Sequence, residues 1–402
     1  MRLATSSALK VSSEEGPMPF PWYVIIPLVA IVSWIIQEVC RGVAISIGLV
    51  DHPNSRKIHS KPIPLSGGIG MFLPVSIFLI VWIARGGEGM GVLAGLGVLS
   101  ALGMITLTGF IDDFRPVSPS KRLLVQAMAS FLLWNVGVRL DLIHFGGFAL
   151  DLGLFSLPLT MLWFMGFMNT SNFMDGMDGL SGGMSLMALG SISVVGFITG
   201  SLYGPVALIL AVVTAIYLIF NLSTNRKIFL GDSGSLTLGL SVGVLGILVS
   251  RVPSGVGLDW HAIALVLAAY SVGVMDVLVA IIRRARRGAS VFKADKHHFH
   301  HRLLRAGLGE GWTLAALHGM AGLVLFAVSL PGYGSGWAIV QFLVPSSMVL
   351  GAGLRLLRVA MVKGSVVVPL EGEPATHANP RLSVTGNDDT EKHIKKAAGK
   401  GR

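Results

Sequence analysis

The chain has 402 residues, 52% of them hydrophobic and only 13% charged, with a mean hydropathy of +0.72. A soluble globular chain carries about 25% charged residues, so the composition excludes one and places most of this chain in lipid. The net charge of +10 and the single cysteine, Cys40, exclude an intramolecular disulfide and a cysteine-based metal site and point to basic loops facing an anionic leaflet or anionic substrates.

Residues 1–20 are polar and form a short extracytoplasmic N-terminus. The first apolar run, 21–40, is long enough for a bilayer core about 30 Å thick. It lacks a small-residue cleavage site, so it reads as a retained helix. Ten further runs of spanning length follow, near 65–84, 91–110, 121–138, 155–171, 180–199, 204–220, 233–250, 260–282, 312–331 and 336–357. The stretch 139–154, with Arg139, Asp141, His144 and the Gly146–Gly147 pair, reads as a small extramembrane hairpin. The expected fold is therefore an all-α polytopic membrane protein of about eleven transmembrane helices, with an integral membrane domain over 21–358. From 359 to 402 the chain turns polar and reads as a cytoplasmic, disordered tail.

Orientation follows the Lys/Arg bias of the short loops. With the N-terminus outside, the loops assigned inside carry sixteen Lys/Arg and those outside carry three, Arg85, Arg139 and Arg251. This puts the C-terminus and the loops richest in Lys/Arg on the cytoplasmic side of the membrane.

Five polar clusters fall in or beside the inside loops, and the outside loops have nothing comparable. The first, from Asp51 to Gly70, is stiffened by Pro53, Pro62 and Pro64 and carries Arg56, Lys57, His59 and Lys61. Such donors suit phosphate, although a plain positive-inside loop reads the same way. The second places Asp112 and Asp113 at the end of an apolar helix. Adjacent carboxylates at a membrane lip are costly unless paired or bound to a cation; they suit a general base or a metal-facing pair, or a solvated helix end.

In the third cluster Asn169, Asn172, Asp175 and Asp178 recur every three residues, which on a helix puts them near one face. Hard oxygen ligands of this kind suit Mg²⁺ or Mn²⁺, or hydrogen bonding to a nucleobase or sugar. No basic residue lies close to them in sequence. The fourth cluster sets Asp232 between Gly231 and Gly234, just before an apolar helix. It reads as a second metal ligand or as the cap of its own helix. The fifth holds His297, His298, His300 and His301 among eight Lys/Arg. It suits an anion site for pyrophosphate better than a zinc site, and a basic loop at the anionic leaflet is the bland reading.

Five clusters on one side read as one site in which acids bind a hard cation and bases bind phosphate. The chemistry this favours is metal-assisted phosphoryl transfer between a soluble nucleotide and a lipid phosphate. A transporter or flippase would place its acids near the bilayer midplane or in repeated halves, and no internal repeat is found. Nucleic acid is not expected as a partner, because the basic residues are scattered with few aromatics for stacking.

From about Asp51 to Leu304 the sequence resembles the bacterial polyprenyl-phosphate N-acetylhexosamine-1-phosphate transferases, with all five clusters in order. The resemblance implies about ten or eleven helices, Mg²⁺ or Mn²⁺ as cofactor, and transfer of a HexNAc-1-phosphate from a UDP-sugar to undecaprenyl phosphate with release of UMP. UDP-GlcNAc is the default donor, the product starts a cell-envelope polysaccharide, and a homodimer is plausible.

By position, it implies that Asp112 and Asp113 engage the lipid phosphate or act as base, and that Asn172 and Asp232 hold the metal. It assigns Asp175 and Asp178, with Asn169 nearby, to nucleotide recognition or the metal surroundings. Lys57 and His59 fall near the substrate phosphates, and His298, His300 and His301 fall on the histidine motif of the last catalytic loop. The stretch after Asn221 reads LSTNRKI, where the family often has a Pro-Ala pair. The sister family that makes the muramoyl-pentapeptide lipid precursor shares the aspartate motifs, but its histidine motif is more compact and usually followed by an acid. Here arginine follows, which favours the HexNAc group. Direct attack of the lipid phosphate on the β-phosphate and a two-step route through an aspartyl intermediate both remain open from sequence.

Overall fold

The computed structural model describes residues 22–53, 61–86, 89–252, 256–288 and 298–330. The expected N-terminal segment, Lys57, His59, His297, the eleventh apolar run and the tail all lie outside them.

Long apolar runs with no polar face become helices, because a helix satisfies every backbone group within itself. The helices are α1 (Trp22–Ser46), α2 (Gly67–Ala84), α3 (Val92–Phe114), α4 (Pro119–Asn135), α5 (Ser156–Met174), α6 (Leu180–Thr199), α7 (Tyr203–Asn221), α8 (Gly231–Val249), α9 (Trp260–Ala269), α10 (Ser271–Arg286), the short α11 (Phe299–Arg305) and α12 (Glu310–Leu330). Among the described residues seven of these are long and apolar enough to cross a membrane, or eight if α9 and α10 count as one span. The expected helices over 121–138 and 155–171 are present as α4 and α5 but fall outside that group. α4 has 17 residues and carries Lys121 and Arg122 in its first turn, and the last two turns of α5 carry Asn169, Thr170, Ser171 and Asn172. The run expected as one helix over 260–282 is broken at Tyr270, where α9 and α10 meet at 75°.

The fold is not wholly helical. The expected hairpin is β3 (Leu142–Phe145) against β4 (Phe148–Asp151), and β3 also pairs in parallel with β5 (Leu258–Asp259). β1 (Val50–Asp51) pairs with β2 (Ile63–Pro64) and closes the loop of the first polar cluster.

α8 is the central helix: every residue from Gly231 to Val249 except Asp232 is buried. Neighbours approach it through glycines, the small-residue packing that membrane helices use. A Cβ at Gly109 of α3 or Gly68 of α2 would run into the Ser233 backbone, and one at Gly239 would lie 2.5 Å from the Phe167 carbonyl of α5. Thr106 and Thr237 share a hydrogen bond of 2.7 Å across the α3–α8 contact. α1 lies at the edge, with Leu28, Ile31, Ile35 and Val39 exposed.

Alternating helix directions bring the ends of α3, α5, α7 and α10 and the starts of α2, α4, α6 and α8 to one end of the bundle. The three-stranded sheet lies at the other.

Candidate active site

The polar clusters meet at the first of these ends. Arg122, in the first turn of α4, is their hub. Its Nη1 donates to Asp112 Oδ2 at 2.9 Å and to Asp232 Oδ2 at 3.1 Å, and its Nη2 donates to Asn172 Oδ1 at 3.3 Å. One guanidinium thus ties α3, α5 and α8 together. Its planar fork of donors allows this, where a lysine would offer a single point charge. Asn172 Nδ2 also donates to Asp232 Oδ1 at 2.5 Å and to Ser235 Oγ at 3.0 Å.

Asp112 and Asp113 do different work. Asp112 Oδ1 accepts from the Val117 N–H at 2.7 Å and its other oxygen faces Arg122. Asp113 turns to α8: it accepts from the N–H of Asp232 at 2.7 Å, the N–H of Ser233 at 3.2 Å and Ser233 Oγ at 2.8 Å. The first N–H groups of a helix need acceptors, and here the acceptor comes from another helix. Asp232 is therefore not the cap of its own helix, and its carboxylate stays available to the site. Gly231 (φ +72°) completes the joint, since a Cβ there would sit 2.6 Å from an Asp113 oxygen.

The third cluster departs from the expected single helical face. α5 stops at Met174, so Asn169 and Asn172 are helical, Asp175 is the C-cap residue, and Asp178 lies in the turn closed by Gly179 in the left-handed region (φ +77°). Asn169 Nδ2 donates to Gln126 Oε1 and to the Met165 carbonyl, both at 2.7 Å. Asp178 forms an ion pair with Lys227, so the acids do have basic partners, brought by other loops. Asn221, buried at the end of α7, locks this turn. Its Oδ1 accepts from the Gly179 N–H at 2.8 Å, and its Nδ2 donates to the Ile228 carbonyl at 3.0 Å and Asp178 Oδ1 at 3.4 Å.

Asp175 is half-buried, and its carboxylate has no hydrogen bond or ion pair among the described residues. Burial first, then the charges of Asp232, Asp113 and Asp178, holds its carboxyl well above the usual carboxylate range.

The first cluster is joined to the fourth through backbone. The Phe229 N–H donates to the Pro64 carbonyl at 2.8 Å, and the N–H groups of Gly67 and Gly68 donate to the carbonyls of Phe229 and Leu230 at 3.0 and 3.1 Å. The histidine segment lies against the third cluster. The His298 ring stacks on Phe173 with centroids 5.6 Å apart, and a Cβ at Gly176 would meet His300 Nε2 at 2.7 Å. Burial, reinforced by His301, pushes His300 down to about 4, so at neutral pH it is a neutral imidazole. Any contact it makes with phosphate is a hydrogen bond, not an ion pair.

The structure thus brings Asp112, Asp113, Asn172 and Asp232 together, with Asn169, Asp175, Asp178, His298, His300 and His301 around them. Sequence reasoning missed Arg122 and Lys227, counted only as loop charges, and Asp276, which holds His298. A lone acid in an apolar run was the available signal for the last.

Among the described residues no three His, Cys, Asp or Glu side chains are grouped to hold a metal ion by themselves. The oxygen donors of Asp232 and Asn172 nevertheless fit a hard cation that keeps several waters and takes the rest of its shell from substrate phosphates.

The glycosyl transferase family 4 model matches residues 95–250, which run from α3 through α8. A probable undecaprenyl-phosphate N-acetylglucosaminyl 1-phosphate transferase of Bacillus subtilis (strain 168) is 31% identical over 299 residues, covering 71% of this chain and 77% of its own. The undecaprenyl-phosphate alpha-N-acetylglucosaminyl 1-phosphate transferase of Yersinia pestis is 30% identical over 338 residues, covering 76% and 89%. The decaprenyl-phosphate N-acetylglucosaminephosphotransferase of Mycobacterium tuberculosis (strain ATCC 25618 / H37Rv) is 31% identical over 325 residues, covering 75% and 80%. With likeness of this extent running through the helices that build the site, the chain belongs to glycosyl transferase family 4, in the group of bacterial polyprenyl-phosphate N-acetylhexosamine-1-phosphate transferases.

Proposed function

We propose that this protein transfers a HexNAc-1-phosphate, with GlcNAc-1-phosphate as the default, from a UDP-sugar to undecaprenyl phosphate and releases UMP. The observation that carries the reading is the Arg122 hub, where Asp112, Asp232 and Asn172 from three helices meet one guanidinium at the end of the bundle. The names of the relatives support the acceptor and the sugar. The Lys/Arg bias supports a cytoplasmic site in the inner membrane, with the N-terminus outside.

A lipid phosphate oxygen attacks the β-phosphorus of the UDP-sugar, the bond to the bridging oxygen breaks, and UMP leaves with that oxygen. Mg²⁺ or Mn²⁺ held by Asp232 and Asn172 would neutralise charge on the pyrophosphate. Arg122 presents fixed donors to phosphate oxygens, which act strongly in a site shielded from water. Asp113 fixes the start of α8 and thereby aims Asp232. Asp112 is the candidate base for a proton of the acceptor phosphate. Asp175 and Asp178, on one rigid turn with Asn169 behind, suit the uridine or sugar hydroxyls, and Lys57, His59 and the histidine segment suit the phosphates.

The test is UMP release by purified protein from UDP-GlcNAc and undecaprenyl phosphate with Mg²⁺, beside Asp232→Asn. Turnover that is lost in the variant and on chelation supports the reaction and the metal role together. Turnover only with another UDP-HexNAc changes the sugar. Turnover only with UDP-muramoyl-pentapeptide moves the protein to the sister activity, and none with any UDP-sugar, from folded protein, favours a transporter.

A further inference from the structure

Asp276 is the one acid in the apolar stretch 260–282. It lies on α10, beyond the 75° break, and is 6% exposed. A charge in such a place is retained only if paired, and it marks function more often than packing. Both of its oxygens are committed to the start of the histidine segment. Oδ2 lies 3.0 Å from His298 Nδ1, and Oδ1 accepts from the Phe299 N–H at 3.0 Å.

A carboxylate can only accept, so Nδ1 of His298 must carry a proton. This fixes which ring nitrogen is left over. Nε2 has no protein partner among the described residues. The ring is held between Asp276 and the face of Phe173, next in sequence to Asn172, and it lies parallel to His300 at 6.0 Å. Helix α10 is in this way coupled to the turn that carries Asn172 and Asp175. The transfer proposed above gives Asp276 no part in the reaction.

We propose that Asp276 is a positioning residue for the transfer. It holds His298 with the proton on Nδ1, so that Nε2 exchanges a proton with a substrate phosphate oxygen. The inference rests on the proposed reaction. It adds to that reading a second carboxylate system, separate from the Arg122 hub, that acts through a histidine. The same pairing of a buried carboxylate with one ring nitrogen sets the tautomer of histidines in other enzymes.

The test is a double-mutant cycle in the full-length protein. UMP release is measured for the wild type, Asp276→Asn, Asp276→Glu, His298→Ala and the Asp276→Asn/His298→Ala pair, with melting temperatures and amide exchange over 298–305. Asparagine keeps the shape and an acceptor for Phe299, but its NH₂ group faces Nδ1 and moves the ring proton to Nε2. Loss of an orienting partner typically costs about 10–100-fold. The expected result is a fall in kcat of that size for Asp276→Asn, with KM within about twofold, melting unchanged, and partial recovery in Asp276→Glu. The double variant is then no slower than His298→Ala alone, because Asp276 acts only through His298. Full kcat in Asp276→Asn, or losses that multiply in the double variant, overturns the proposal. Should asparagine unfold the protein, Asp276→Glu and the exchange at Phe299 decide: full turnover with unprotected Phe299 also overturns it. If the wild type itself turns over no UDP-sugar, the reaction reading has failed, which is a different outcome from a fully active Asp276→Asn.

Discussion

Asp113, in the last turn of α3, caps α8 by accepting from the backbone N–H groups of Asp232 and Ser233 at 2.7 and 3.2 Å. Two neighbouring aspartates of one helix end are thereby split between a joint and a site. Replacing Asp113 by Ala orphans buried donors, at about 1–3 kcal/mol for each group, and frees the start of α8. The expected outcome is a lower melting temperature together with lost turnover. Asp112→Asn keeps the Val117 acceptor and should lose turnover with little change in melting. Thermal unfolding in detergent beside UMP release separates the two.

Arg122 is the counter-charge of the hub. Arg122→Ala removes donors from the transferring phosphates and should lower kcat about 10²–10³-fold, as for the loss of one fixed donor in an anion hole. It also leaves Asp112 and Asp232 without their partner, so affinity for a divalent cation should rise. Manganese binding followed by electron paramagnetic resonance checks the sign: tighter Mn²⁺ with slower turnover is expected, and weaker Mn²⁺ would place Arg122 on the side of metal retention.

His300 gives a pH test. Its pKa falls from the usual 6.5 to about 4 in the folded protein, burial being the main cause. Below 6.5 the unfolded chain takes a proton that the folded chain refuses. His300 therefore leaves stability intact above pH 6.5 and lowers it as pH falls from 6.5 to 4, by at most about 1.4 kcal/mol per pH unit. Melting temperature against pH should drop more steeply over this window in the wild type than in His300→Gln. Parallel curves would mean that His300 titrates alike in both states.

Much of the fold was legible in the sequence because apolar runs and helices are set by the same backbone requirement. The run 180–199 is α6 residue for residue, and 65–84 misses the start of α2 by two. The hairpin was readable from Gly146–Gly147 in a stretch that also holds Arg139, Asp141, His144 and Asp151. The break at Tyr270 was not, since neither Gly nor Pro marks it; it depends on how α9 and α10 pack. The site was legible as a list of acids and histidines on one side. Their partners were not. Arg122 lies 110 residues from Asp232 and 50 from Asn172, and Lys227 lies 49 from Asp178. No local spacing records such pairings, and the every-third-residue pattern of Asn169 to Asp178 suggested one helix where Gly176 and Gly179 make a turn.

The close approach of α3 to α8 yields a paired test. A methyl at Gly109 would meet the Cα and N of Ser233, which belong to backbone and cannot swing away, whereas one at Gly103, on the same helix, would find its nearest neighbour, Phe72 Cζ, at 3.8 Å. Gly109→Ala must push the start of α8 away from α3 and so pull Asp232 and Ser233 off Asp113. Overpacking of this kind costs about 1–3 kcal/mol, and the broken cap adds to it. Gly103→Ala meets ordinary contact and gains about 0.5–1 kcal/mol from helix propensity. Melting temperature should fall for the first and hold or rise for the second, and turnover should follow Gly109 alone. Equal effects would mean that α3 and α8 slide freely past each other. The Asp113 cap would then not be what aims Asp232, and the role given to the aspartate pair would have to be withdrawn with it.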